Sequence, residues 1–200
     1  MVRMTSERDV RALPAAWAEA IRRYLEFRSW PSWRGRDFVD GKPAPDHLEP
    51  EQCAKLEKQL SGRVQAACAE GLLPDNLRGI EQRHIDELVT SIGGDPRSAS
   101  GWMAAPMWMK HVWRVIVLDR GDYTCEYCGR SAGAVHKAEK RTLRLELDHR
   151  DARSKSGLGW SLANITVACR SCNVMKGQMD RERFIAELRS LAAAVAAKYR

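Results

Sequence analysis

No apolar run in this 200-residue sequence approaches the ~18 residues that a membrane-spanning helix needs. The longest near the N-terminus, Ala12 to Ala18, is soon followed by Arg22 and Arg23 and lacks the layout of a secretion signal. A polytopic membrane protein is thereby excluded, and the expected compartment is the cytoplasm. Internal repeats and low-complexity tracts are also missing, and the balance of apolar and charged residues excludes collagen-like and mostly disordered chains. Cysteine is scarce for a secreted disulfide scaffold, with six residues in the whole chain. What remains is ordinary for a globular protein of one or two domains: 44% apolar and 30% charged residues.

The charge is unevenly placed. Residues 1–110 hold 16 Lys+Arg and 16 Asp+Glu, whereas residues 111–200 hold 17 and 10, so the second half carries the whole net charge of +7. A basic half beside a neutral half fits a polyanionic partner, most simply nucleic acid; the plainer reading is a solvated face that aids solubility.

The cysteines sharpen this. Cys125 and Cys128 form one C-x2-C pair and Cys169 and Cys172 another, with 40 residues between them. Two such turns aim four sulfurs at one ion and complete a tetrahedron, so the pairs are read as a structural zinc site. A redox role for the pairs would instead require reactive thiols and no tightly held zinc. Cys53 and Cys68 fall on an amphipathic pattern and are expected to be small core residues.

Apolar periodicity predicts a helix around Leu13 to Leu25, with Pro14 in its first turn. A Trp-, Pro- and Gly-bearing segment from Ser29 to Pro50, including Trp30 and Trp33, reads as a loop. Further helices are predicted from Pro50 to about Gly71, from Asp75 to Ile92 and from Met107 to Leu118. Residues 93–105 read as a linker. Thr142 to Asp148 alternates apolar and polar residues, as a half-buried strand does, and a second short strand is expected around Ile165 to Cys169. Asp180 is placed to cap a last helix with Phe184, Ile185, Leu188, Leu191 and Val195 on its apolar stripe. The expected organisation is a helical region over residues 1–106 followed by a functional domain over residues 107–200.

Between the cysteine pairs lie Asp148-His149 and Asn164, and Asn173 and Lys176-Gly177 follow the second pair. In this order the residues resemble the zinc-containing branch of the HNH endonuclease family, over roughly residues 107–180. The resemblance implies a mainly α protein with a small ββα-metal (HNH) zinc-bound nuclease core. It implies His149 as general base, Asp148 and Asn173 as ligands of a catalytic divalent cation (Mg²⁺ or Mn²⁺), and Asn164 as the residue that orients His149. A histidine with a pKa of about 6.5 is suited to take a proton from water, and the neutral oxygen of an asparagine suits a hard cation. Many members carry a proline after Asp-His; here Arg150 follows instead. The segment after it is basic, so Arg150, Arg153 and Lys155, together with Lys176, are candidate phosphate contacts. The implied partner is DNA, most simply double-stranded. The helical N-terminal region is a candidate for recognition, homodimerisation or binding of a partner protein. The competing reading is a zinc-ribbon nucleic-acid-binding module that keeps the scaffold without activity.

Overall fold

The computed structural model describes residues 12–29, 38–39, 42–43, 48–96, 105–136, 141–151 and 161–199. Helix α1 (Ala15–Ser29) follows Pro14, whose carbonyl accepts the amides of Trp17 and Ala18. Proline suits this edge because the missing N–H would have had no partner there. Trp17, Ala20, Ile21, Tyr24 and Leu25 recur every three or four residues and bury one face. Helix α2 (Pro50–Ala69) begins with a reciprocal cap between Glu49 and Gln52 and turns Leu60, Val64, Ala67 and Cys68 inward. Cys68 is buried as expected, while Cys53 is half-buried.

The helix predicted from Asp75 starts later. The Asn76 side chain accepts the Arg78 amide and sets a 3₁₀ turn at Leu77–Gly79. Such local side-chain bonding competes with helix extension. The α-helix, α3 (Gln82–Ser91), begins only after Glu81 and His84 cap one another. The segment read as a loop contains a two-residue antiparallel ladder of β1 (Phe38–Val39) and β2 (Lys42–Pro43). Trp30, Trp33 and most of the linker lie outside the described residues.

Helix α4 (Met107–Arg120) is apolar on nearly every side, with Met109, Val112, Trp113 and the run Val115 to Leu118 all buried. Such a helix needs cover all round. It packs against α1 and α2 and also against strand β6 (Ile165–Cys169). Its end approaches β6 so closely that a Cβ on Gly121 would lie 2.6 Å from Val167 Cγ2. Only glycine permits that contact. One hydrophobic core consequently runs from Trp17 to Phe184. Polar ties cross it: Arg23 reaches Asp119 and Asp122, the Leu162 amide donates to Gln82 Oε1 at 2.8 Å, and Arg120 donates to the Ile80 carbonyl.

Strand β5 (Leu145–His149) pairs antiparallel with β6, from Leu145 opposite Cys169 to His149 opposite Ile165. The strand predicted from Thr142 is divided. Arg141–Thr142 (β4) instead pairs with Val135–His136 (β3), and the Leu143 amide donates to the Ala134 carbonyl at 2.8 Å. Helix α5 (Arg170–Lys176) follows β6 directly and ends at Gly177, whose φ of 54° lies in a region that favours glycine. Helix α6 (Arg181–Lys198) buries Phe184 and half-buries Ile185 and Leu188, but Leu191 is 60% and Val195 50% exposed. The predicted stripe is packed only in its first half, because a helix of about 27 Å outruns the body beneath it. Among the described residues no helix is long and apolar enough to cross a membrane.

His111 on α4 is buried, with Nδ1 2.6 Å from the Tyr24 hydroxyl. Burial first, then the charges of Arg114 and Arg28, lower its pKa from 6.5 to about 4. As pH falls, the unfolded chain therefore takes up this proton before the folded one. The stabilisation is full above pH ~6.5 and is lost as pH drops towards the folded value, at most about 3 kcal/mol. His111→Asn keeps an amide for Tyr24 but cannot titrate. Urea midpoints at pH 7.5 and 4.5 should show a smaller loss on acidification in this variant than in the parent protein.

Candidate active site and metal centre

The first cysteine pair sits on a tight turn after α4. Asp122 and Tyr123 both adopt positive φ, of 45° and 50°, as does Gly129, at 67°. The Cys125 amide donates to the Arg130 carbonyl, and the Gly129 amide donates back to the Cys125 carbonyl. The Glu126 amide donates to the Val167 carbonyl and so fixes this turn to β6. The second pair closes around the start of α5. Cys169 ends β6, and its Sγ accepts the Cys172 amide at 3.4 Å.

All four sulfurs lie within 4.8 Å of one another. Cys128 Sγ is 3.8 Å from Cys169 Sγ. A tetrahedron with zinc–sulfur bonds of ~2.3 Å has edges of about 3.8 Å, so the donor set fits zinc in both chemistry and size. Hydrogen bonds from Cys169 and Cys172 hold the Cys125 thiol far below its ordinary range, and the bond to Cys125 pushes Cys169 up to about 11. The same contacts push Cys172 up as well, so without a cation the cluster favours one thiolate shared among protonated neighbours. Among the described residues no other group of His, Cys, Asp or Glu converges in this way.

Side chains alternate along β5, so Leu145, Leu147 and His149 share one face and Glu146 and Asp148 the other. His149 is half-buried, and its Nε2 is shielded from solvent. Asp148 is buried, and its Oδ2 accepts the Tyr127 hydroxyl at 2.6 Å. Helix α5 lies over this second face. Asn173 Nδ2 donates to Glu146 Oε2 at 2.9 Å, and one turn later Lys176 Nζ stands 3.4 Å from Asp148 Oδ2. Residues three apart on a helix thereby meet residues two apart on a strand. Among the described residues, no hydrogen bond occupies Asp148 Oδ1 or Asn173 Oδ1.

Asn164, just before β6, is buried. Its carbonyl accepts the Arg150 amide at 2.7 Å. Its side chain accepts the Asp151 amide at 2.8 Å and donates to the Asp151 carbonyl at 3.4 Å. It pins the two residues that follow His149.

Two of the candidate phosphate contacts point elsewhere. Lys176 is only 1% exposed, and its Nζ donates to the His149 carbonyl at 2.6 Å. It turns inward because Asp148, also buried, needs a countercharge. Arg150 is drawn to Glu126, with Nε 3.0 Å from Oε2, and it also donates to the Ala163 carbonyl. Burial pushes the Glu126 carboxyl up, but hydrogen bonds from Thr166, Arg181 and Arg150 outweigh it and leave the group below its ordinary value. Arg153 and Lys155 lie outside the described residues.

The sequence reading did not single out Tyr127, Glu126 or Glu146. Glu146 had a detectable signal, since it stands two residues before Asp148 and must share its face. Tyr127, inside the first C-x2-C turn, and Glu126 had none, because their partners are distant in sequence.

Neither a curated protein nor a solved structure matches the chain. The model of the HNH endonuclease family does match, over residues 125–179. That span holds all four clustered cysteines, Asp148, His149, Asn164, Asn173 and Lys176. A domain of this family points to nuclease or nucleic-acid-binding function, and the cysteine cluster to zinc. About a quarter of the chain, from Cys125 to Met179, is thus similar to the HNH endonuclease domain and carries four clustered cysteines that could hold one metal ion.

Proposed function

We propose that this protein is a metal-dependent endonuclease that hydrolyses DNA phosphodiester bonds, with β5, β6 and α5 as a ββα-metal core. What supports the reading is the family match together with helix α5 lying over β5, where Asn173 meets Glu146 and Lys176 meets Asp148 and the His149 carbonyl, beside the four-cysteine cluster. Structural zinc would be held by Cys125, Cys128, Cys169 and Cys172, and it fixes the turn before β5 and the start of α5 together. His149 takes the proton from the attacking water, a task suited to a pKa near neutrality (about 6.5 for free histidine). Asn164 keeps the backbone beyond His149 in one conformation, so the imidazole presents a constant direction. Asp148, through Oδ1, and Asn173, through its amide oxygen, would hold a divalent cation such as Mg²⁺ or Mn²⁺. That ion supplies charge stabilisation for the phosphate and the leaving 3′-oxygen.

Arg153 and Lys155 follow the phosphate backbone, in keeping with the basic second half. Residues 1–106 select the target or a partner, including a second copy of this chain. A reducing cytoplasm keeps the four thiolates available for zinc.

One observation favours the alternative of an inactive zinc-ribbon binding module: Asp148 already has a cation beside it, Lys176. Plasmid incubation separates the two readings. With Mg²⁺ or Mn²⁺ the nuclease should convert supercoiled plasmid to nicked forms, and a chelator of the catalytic ion should stop it. DNA binding without nicks in either metal leaves only the binding module.

A further inference from the structure

Lys176 and Tyr127 do more than fill space beside Asp148. We propose that they are positioning residues that keep Asp148 Oδ2 away from the catalytic cation, so the carboxylate offers Oδ1 alone and the ion stays loosely held until a substrate phosphate completes its shell. This inference rests on the nuclease reading and concerns the same site.

The geometry carries it in three steps. First, Oδ2 has two partners: it accepts the Tyr127 hydroxyl at 2.6 Å and is ion-paired with the Lys176 ammonium at 3.4 Å. Second, neither of these can swing away without loss. The ammonium also donates to the His149 carbonyl at 2.6 Å, and leaving would cost a buried charge its partners. The Tyr127 ring packs edge-on against Phe184, with centroids 5.1 Å apart at 82°. Third, Glu146 does not replace the lost oxygen. Its Oε2 accepts Asn173 Nδ2 at 2.9 Å, and its Oε1 pairs with Arg170 at 3.1 Å.

Both carboxylates on this face therefore carry a resident cation, and the field felt by a divalent ion is reduced accordingly. Hard cations such as Mg²⁺ are commonly held by one or two carboxylates together with substrate phosphates, so a weak protein site suits an ion that arrives with its substrate.

The same contacts set the sign of the test. Removing either group frees Oδ2 for the ion, so binding tightens while the geometry for turnover is lost. A group that only supported the fold would weaken binding or leave it unchanged. The probe is Mn²⁺ itself, measured by electron paramagnetic resonance on the zinc-loaded full chain without DNA. Lys176→Met should tighten Mn²⁺ binding by about tenfold or more. Tyr127→Phe, which keeps the ring against Phe184, should tighten it by roughly threefold. Nicking at saturating Mn²⁺ should fall in both. Unchanged or weaker Mn²⁺ binding in both variants overturns the inference. Should Lys176→Met fail to retain zinc, the sign of the Tyr127→Phe shift decides alone. A parent protein that nicks plasmid beside variants that bind no tighter removes this inference and leaves the nuclease. Tighter Mn²⁺ binding in a protein that never nicks DNA does the reverse.

Discussion

Cys169→Ser is expected to lose zinc and the fold of residues 125–179 in one step. Cys169 is buried where β6 ends, opposite Leu145, and its sulfur both faces Cys128 and caps α5. Serine cannot supply the soft thiolate, and it leaves a hydroxyl buried among three crowded thiols. Structural zinc contributes an apparent ~10–16 kcal/mol in small metal-folded units, as much as the ~5–15 kcal/mol that holds a typical domain together. Zinc content by atomic absorption should fall from about one per chain to none, and the cooperative thermal transition should broaden or disappear. A Cys169→Ser protein that keeps its zinc and melts as the parent does would remove the metal centre from this account.

His149→Ala should separate chemistry from architecture. The β5–β6 register passes through the backbone, and Lys176 grips the carbonyl of residue 149 rather than its ring. Truncation therefore leaves the strand end clamped. Zinc content, melting temperature and DNA affinity should stay near parental values, while nicking should fall by about 10²–10⁴-fold, the range for loss of a general base. A zinc-replete, DNA-binding His149→Ala protein that cuts at the parental rate would exclude the imidazole as the base.

What could be read beforehand was whatever repeats locally. The two C-x2-C turns are local geometry, and they meet. The faces of α1 and α2 follow apolar spacing and are buried largely as spaced, although Cys53 and Leu56 at the start of α2 are only half-buried. Boundaries were displaced where a side chain bonds to nearby backbone, as Asn76 does before α3. They were also displaced where a short strand has another partner, as Arg141–Thr142 has in Val135–His136. The inward turn of Lys176 was not legible, because a lysine one turn past Asn173 reads the same whether solvent or a buried carboxylate lies beyond it. The Tyr127–Asp148 and Arg150–Glu126 contacts bridge more than 20 positions of sequence, and no periodicity announces such pairs.

The double duty of α4 has a practical cost for dissection. A fragment starting at residue 107 would keep every residue of the metal centre yet shed α1 and α2, baring the flank of α4 that they cover. At ~25 cal/mol for each Å² of apolar surface returned to water, such a fragment would be prone to clumping, and any loss of target choice would say nothing about recognition. The contribution of the first hundred residues is better probed by exchanging solvent-facing charges, with the scaffold left whole.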